Sequence, residues 1–474
     1  MTPSGEMLVA HLRRQMKSVI AGRRWVVGAD VLISAVNVAV TLRGLGSGDV
    51  LAIGCSRGTG DLPDREGITG IDLGLSFQGG LRETLHASER ALEGLSPAIQ
   101  ARVDRFDPAR KARAIGAIFC SGRPIARRTV FGARTASWRA LEDKMVIDAL
   151  WDAAGVPRGP SSVVPARFRD LVQAADALDR GHGTVWVGDN REGWHGGAEL
   201  LRWVRTSQQA AAAHEFLARH CDRVRVMPFL EGIPCSIHGW VFPSQTIALR
   251  PCEMLVFRIP GSDTLSYAGA STLWEPPASI YEQMRRHALN VGEHLRATVG
   301  YRGSFTMDGI VTKDGFVPTE LNPRFGGALA RMAQSLPELP LYLLHLATAE
   351  GLELDYRPGA LEEFIISTAR ANPVCRAMQM LPGRFDLEPQ ELPILRTKDG
   401  GWRPCEHGET VQATLRLGPA TNGSILFATV KSGVLPLGAS SAPPLCAALA
   451  LADRLWELGL GDLTPAPDLS AHPA

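Results

Sequence analysis

The sequence predicts an α/β (α+β) protein of three domains, on three observations. A chain of 474 residues, at roughly 100–200 residues per domain, makes about three. Short β-branched runs bounded by glycine, such as RRWVVGADVLI and GDVLAIGCSRG, have the form of buried strands. Between such runs lie segments of helical spacing. The clearest is RALEDKMVIDALWDAA over 139–154, where Leu141, Met145, Leu150 and Ala154 recur before a stop at Gly155 and Pro157.

Taken in order, residues 1–138 form an N-terminal α/β domain. Its glycine-rich stretch GCSRGTGD (54–61) lacks the GxGxxG spacing, so these glycines are read as turn residues. Residues 139–372 form the middle domain, with helices over 167–180, 278–298, 326–335 and 338–350 and a hairpin over 303–322. From 373 the chain shifts to short Pro- and Gly-punctuated strands and one helix, PLCAALALADRLWELGL, which make a small C-terminal αβ domain over 373–474. The closing TPAPDLSAHPA is expected to be disordered.

Composition narrows the function. Hydrophobic residues at 45% and charged residues at 21% fit a soluble globular protein. A net charge of +1 argues against a nucleic-acid binder. Ten Arg and Lys against Asp104 and Asp107 make 102–139 strongly basic, which is read first as a solvated face or subunit contact. The eight cysteines show no CxxC, so free thiols in a reducing compartment are expected. The most apolar run, Val26 to Leu42, is broken by Asp30 and Asn37 and is too short for a membrane helix. A cytoplasmic protein without membrane or nucleic-acid partners is the expectation.

The chemistry concentrates in GSFTMDGIVTKDGFVPTELNPRFGGALARMAQ, residues 303–334. A three-residue loop over 313–315, with Gly315 left-handed, pairs Thr312 with Phe316. Asp308 then faces Glu320, Thr306 faces Asn322, and the two carboxylates and the amide share one sheet face. Like charges opposed across strands repel, whereas an all-oxygen set suits Mg²⁺. Arg324 follows at once and can hold phosphate oxygens bidentately. Gly326 and Gly327 open a helix whose free N–H groups favour an anion.

These residues resemble the ATP-grasp superfamily of carboxylate–amine ligases. ELNPRFGG, with an aspartate twelve residues earlier, is similar to that family's metal hairpin. LEDKMVIDALWDAAGVPRGPSSVV (141–164) is similar to its Asp-Lys helix, GTVWVGDNREGWHGGAEL (183–200) to its phosphate flap, and RVMPFLEGIPCSIHG (225–239) to its hinge strand. The resemblance covers about 139–370. It implies a core of two mixed αβ lobes, preceded by an α/β domain and followed by the small C-terminal one.

The resemblance further implies site roles. Lys144 contacts ATP phosphate, and Gly196 and Gly197 belong to the flap over it. Met227, Phe229 and Leu230 line adenine, and Glu231 reaches ribose. Asp308, Glu320 and Asn322 hold two Mg²⁺ ions, and Arg324 stabilises the phosphoryl group in transfer. His195 in the flap is read as a mobile, solvated histidine. From their nearness to the hairpin, Arg258 and Arg302 are candidate substrate anchors, as are Gly326 and Gly327; Glu253 is a candidate general base. One departure stands out. The family's second phosphate lysine falls near Gly188 here, and no lysine occurs from 145 to 312. Arg191, Arg202 or Arg205 would then substitute, or the phosphates would lean on backbone N–H groups and metal.

The implied activity is ATP-dependent, ADP-forming joining of a small-molecule carboxylate to an amine or peptide. The flanking domains and TNGSILFATVKSGVLPLG look most like the pheganomycin-type peptide ligases of natural-product assembly. A non-catalytic nucleotide-binding scaffold and a ligase for a non-peptide amine remain open. A biotin-dependent carboxylase is set aside because no segment resembles a carrier motif. Whether the N-terminal domain contributes to the substrate pocket or to a homodimer is also open.

Overall fold

The computed structural model describes residues 3–116, 122–193, 195–259 and 262–466. Cys120 and most of the expected disordered tail, 467–474, lie outside the described residues.

Strands β1 (Trp25–Val31), β2 (Val50–Ser56), β3 (Ile68–Asp72) and β4 (Arg113–Gly116) form a parallel sheet in the order β3-β2-β1-β4. Its central strands β1 and β2 are buried almost end to end, as parallel strands covered on both faces must be. The sheet does not stand alone. Its core is continuous with Phe325, Leu329, Leu344 and Ile365 of the middle segment. Arg113 also pairs with Glu350 at 2.5 Å.

Strands β5 (Ser162–Pro165), β6 (Thr184–Gly188), β7 (Leu201–Val204) and β8 (Arg223–Pro228) make a small antiparallel sheet in the order β5-β8-β6-β7. The helices Phe168–Leu178 and Ser207–His220 bury Leu171, Ala213 and Leu217 in its core with Trp186.

The third sheet has twelve strands among the described residues. They are β9 (Ile233–Val241), β10 (Thr246–Ala248), β11 (Cys252–Arg258), β12 (Leu265–Ser271), β13 (Gly303–Thr312), β14 (Gly315–Asn322), β15 (Cys375–Pro382), β16 (Gln390–Arg396), β17 (Trp402–Pro404), β18 (Ala413–Ala420), β19 (Gly423–Val430) and β20 (Thr464–Pro465). The path runs β14-β13-β9-β11-β12-β15-β19-β18-β16-β17, with β10 beside β9 and β20 beside β11. The strands after residue 373 therefore continue the same sheet through the β12–β15 pair. On one face, Phe305 and Met307 pack beneath the helix Ala278–Val299 with Leu295 and Val291. Their neighbours Thr306 and Asp308 point to the other face.

The hairpin reaches its expected pairing by an unexpected route. Thr312 pairs with Gly315, so the turn has two residues, Lys313 and Asp314, rather than three. Gly315 does take a positive φ of 124°. The Thr312 hydroxyl tightens the turn, accepting from the Asp314 N–H at 3.1 Å and donating to Gly315 O at 3.0 Å. That register alone would set Asp308 opposite Thr319. A bulge between Asp308 and Gly309 adds one residue on β14 and restores Asp308 to Glu320 and Thr306 to Asn322. Thr319 is the extra residue, and its hydroxyl donates to Asp308 O at 3.2 Å.

The strands close tightly beside the bulge. A Cβ at Gly309 would lie 2.4 Å from Val317 O and 2.6 Å from the Phe316 ring. Gly309→Ala should therefore lower stability by about 1–3 kcal/mol, as overpacking does. Urea unfolding followed by tryptophan fluorescence reads this, and an unchanged midpoint would remove the close approach.

Candidate active site

The face carrying Asp308 meets two other elements. The first is the 139–154 segment, expected as one helix and found as two, Ala136–Ala140 and Ile147–Ala153, joined by tight turns. In those turns Glu142 N donates to Arg139 O and Val146 N to Asp143 O, both three residues back, and the Asp143 carboxylate takes the Met145 N–H at 3.0 Å. An α-helix would turn Glu142 and Lys144 to opposite sides. The turns bury both, at 2% and 6% exposure.

The second element is β8, whose Arg225 is buried against Asp148 at 2.7 Å and donates to Thr319 O at 3.3 Å. The small sheet thus touches the hairpin at its bulge.

A chain of charge-assisted contacts follows. Lys144 Nζ lies 2.8 Å from Glu320 Oε1. Glu142 Oε1 accepts from Arg134 and from Arg324 Nε, each at 2.8 Å. Arg324 donates to Asn322 Oδ1 at 2.8 Å, and Asn322 Nδ2 donates to Asp308 Oδ2 at 2.7 Å. Ser236 Oγ donates to the other Asp308 oxygen at 2.5 Å. Burial, and then the charge of Glu320, hold the Asp308 carboxyl up at about 7. Burial also works to raise Glu320, but Lys144 and Arg324 outweigh it, and its carboxyl lies below the usual range. Among the described residues no three His, Cys, Asp or Glu side chains gather as a metal cluster. The donor set here is two carboxylates and one amide.

A second cluster forms at the end of β8. Arg258 donates to both Glu231 oxygens at 2.7 and 3.0 Å. Its guanidinium lies 5.4 Å from the Phe229 ring, which stacks on Trp203 at 4.1 Å. Met227 is buried and accepts from Arg225 at its sulfur, 3.4 Å away, while Leu230 is half-buried. Gly326 abuts Thr306, whose hydroxyl would lie 2.8 Å from a Cβ there, and Gly327 faces the Tyr267 hydroxyl.

Two candidates lie elsewhere. Glu253 pairs with Cys235, next to Ser236, so it faces the opposite side of the sheet from Asp308. There it accepts from Ser440 Oγ at 2.5 Å and Ser441 N at 2.6 Å. Arg302 lies against Gly351.

Several residues escaped the sequence reading. Glu142 sits inside the LEDK motif that drew attention to Lys144. Arg134 and Arg128 belong to the basic 102–139 run but are buried and paired, Arg128 with Asp107 at 3.0 Å, and not on a solvated face. His195 is also buried rather than solvated, with Nε2 3.1 Å from Gly188 O. Burial and the nearby Lys144 bring it down to about 4, so its imidazole is neutral. Gly188 has no room for any side chain: a Cβ would lie 2.1 Å from Cys221 Sγ. Arg191 is taken by Asp222, Arg202 lies over Phe216 at 3.7 Å, and Arg205 over Trp203 at 4.1 Å.

The flap, including Gly196 and Gly197, is held down by acids. Arg82 N donates to Glu199 Oε2 at 3.0 Å, and the Arg82 guanidinium reaches Glu192 at 2.7 Å and Glu83 at 2.5 Å. Burial and the facing Glu83 raise Glu199 to about 7. The sign follows from linkage: a carboxyl raised in the docked state favours docking while protonated and loses that contribution as pH rises through about 7. Limited proteolysis within 189–200 should therefore run faster at pH 8 than at pH 6, and Glu199→Gln should abolish the difference. Equal pH dependence in both proteins would exclude this carboxyl as the cause.

No family model matches the chain, and no curated protein matches it. Solved structures do. The biotin carboxylase domain of the Hydrogenobacter thermophilus 2-oxoglutarate carboxylase superposes with a TM-score of 0.55, at 12% identity, over 86% of each chain. Biotin carboxylase from Campylobacter jejuni gives 0.54 at 12% identity over 88% of each chain. The carboxyaminoimidazole ribonucleotide synthase of Aspergillus clavatus gives 0.51 at 10% identity, over 91% of this chain and 99% of that one. These likenesses are of fold, and they show that the mixed α/β architecture of this chain is the ATP-grasp fold.

Proposed function

We propose that the protein is an ATP-dependent ligase that activates a carboxylate as an acylphosphate and joins it to an amine. The observation that carries this reading is the hairpin face on which Asp308 and Glu320 oppose each other between Lys144 and Arg324. Structures of similar fold described as complexes with MgADP and with ATP support it. The donor set fits a hard divalent cation: its oxygens are those of two carboxylates and an amide, and the Asp308 carboxyl, raised to about 7, forms no ion pair among the described residues. Asp308, Glu320 and Asn322 would hold Mg²⁺, which supplies positive charge to a triphosphate there.

The chain's own residues do the rest by position and charge. The substrate carboxylate oxygen attacks the γ-phosphorus and the bond to ADP breaks. Lys144 and Arg324 neutralise the phosphoryl oxygens during that transfer. The amine nitrogen then attacks the acyl carbon, the C–O bond to phosphate breaks, and the proton lost by the amine is taken up by the departing phosphate. The flap, with His195 buried in it, keeps water from the acylphosphate. Glu231 with Arg258, and Met227 to Leu230, form the nucleotide wall. Peptide assembly in natural-product biosynthesis is the finer form of this reading, and it rests on the resemblance of the segment spanning β19.

A second reading, nucleotide binding without turnover, is favoured by Gly188, which denies the site a second lysine. Release of ADP and phosphate from ATP with Mg²⁺, pooled amino acids and short peptides separates the two. The ligase gives equal ADP and phosphate, dependent on the amine and abolished by chelator. Glu320→Gln should slow it by about 10²-fold or more, and Lys144→Met should raise the KM for ATP. Equal rates for wild type and Glu320→Gln would remove the metal assignment, and binding without turnover would leave the scaffold reading.

A further inference from the structure

The face that carries Asp308 extends well beyond the hairpin. Asp308 pairs with Ser236 on β9, and Ser236 with Cys252 on β11. Met254, two residues on, shares that face and pairs with Ala270 on β12, which pairs with Arg376 on β15. Tyr267 would ordinarily face away from Ala270, three residues later. A bulge between Met254 and Val256 prevents this: Val256 pairs with Tyr267, so both ends of the bulge keep one face. Gly269 accommodates the bulge at φ 107°. Asp308, Tyr267 and Arg376 therefore line one surface.

The helix Gly327–Gln334 packs over this surface against β12. A Cβ at Gly327 would sit 3.5 Å from the Tyr267 hydroxyl. Arg331, one turn further on, lies on the same side of the helix. Two arginines thus stand over one surface, Arg331 from the helix beside Tyr267 and Arg376 from the sheet, where Arg331 is the first charge acting on it. Both are half-buried. Among the described residues neither forms an ion pair, and Arg376 Nε is buried with no hydrogen-bond partner. Its guanidinium rests on the Phe427 ring at 3.8 Å. Burial, and then the positive charges of Arg331 and Arg416, bring Arg376 down to about 10. Arg416 has its own acid, Glu391, at 2.5 Å. Two guanidiniums held together without an acid pay for desolvation with no return, and an anion between them would supply it.

We propose that Arg331 and Arg376, with the Tyr267 hydroxyl, form a subsite for a second anionic group, a carboxylate or phosphate borne by a substrate in addition to the group that reacts. The role of this subsite rests on the ligase reading above; its existence does not. The substrate class that follows is an acidic one, such as an amino acid with its α-carboxylate free or a phosphate monoester.

Isothermal titration of the full chain with inorganic phosphate and with succinate, with and without saturating ADP and Mg²⁺, tests this. Wild type should bind one of the two anions, the tighter one naming the group, and should bind it still with nucleotide present. Arg331→Gln and Arg376→Gln should each weaken that binding by about tenfold or more and leave ADP binding unchanged. Arg376→Lys, which keeps the charge and loses the planar fork, should fall between. Since neither arginine forms an ion pair among the described residues, the Gln variants should melt at or above the wild-type temperature. Absence of anion binding by wild type, equal binding by the variants, displacement of the anion by ADP, or a lower melting temperature in both Gln variants would overturn the subsite. Anion binding without ADP binding would sustain the subsite and overturn the ligase reading.

Discussion

One extra residue in one strand decides where the acids stand. The tight turn at Lys313 and Asp314 would send Glu320 and Asn322 to the face occupied by Phe305 and Met307, into a dry core. A carboxylate there would lose its hydration without a partner, at a cost no hairpin could bear. The bulge at Thr319 shifts the register by one and turns both side chains to the open face. Thr319 also accepts, at its carbonyl, the hydrogen bond from Arg225 of the small sheet. The residue that corrects the register is therefore also where the two sheets meet, so register and lobe contact are set together.

Around the bulge the charges alternate in space. Lys144 lies on Glu320, Arg324 and Arg134 share Glu142, and Asn322 stands between Arg324 and Asp308. Glu320 and Glu142 each have a cation of their own. Among the described residues Asp308 is hydrogen-bonded by an amide and a hydroxyl, Asn322 and Ser236, and these with the more distant Lys144 and Arg324 offset burial poorly. The imbalance is local and directional: the positive charges flank the acids on the side of the 141–146 turns, and the Asp308 carboxyl faces the sheet surface opposite Phe305 and Met307. On the reading proposed above, that asymmetry would suit a polyanion carried by a cation.

Much of this was legible because strand periodicity is rigid. With side chains alternating, any register pairing Asp308 with Glu320 must also put Asn322 on the same face, and the spacing of the two runs allowed it. The turn was not legible, because Thr312 tightens it with a side-chain hydroxyl that spacing does not encode. Two errors of one residue, in the turn and at the bulge, cancelled. The 139–154 helix misled for a related reason. Its apolar spacing is real, as Leu150 and Trp151 are buried, but the demand that Glu142 and Lys144 both turn inward overrides propensity. Arg128 and Arg134 were hidden in a run whose net charge suggested a surface, since their acids, Asp107 and Glu142, are distant or unremarked in sequence. Gly188 shows a limit of the other kind: its spacing marked a missing lysine, but only packing against Cys221 explains the absence.

The sheet continuing through β12 and β15 changes what the C-terminal segment can do. Its strands are hydrogen-bonded extensions of the surface that carries Asp308, so Arg376 is fixed relative to the hairpin by backbone ladders and not by a flexible linker. The segment is braced from the other side as well. The hairpin end at Thr421 and Asn422 reaches the N-terminal segment, where Thr421 donates to Asp30 O of β1 at 3.1 Å and Asn422 to Gly79 O, in the loop after β3, at 3.2 Å. Gly79 and Gly80 lead into the helix whose Arg82 and Glu83 hold the flap. Any group that settles against Arg376 therefore acts on a frame tied by main-chain bonds to the hairpin and through Asn422 to the flap's anchor. On the ligase reading proposed above, the surface beside Arg376 and the flap over Lys144 are thus held in one hydrogen-bonded frame.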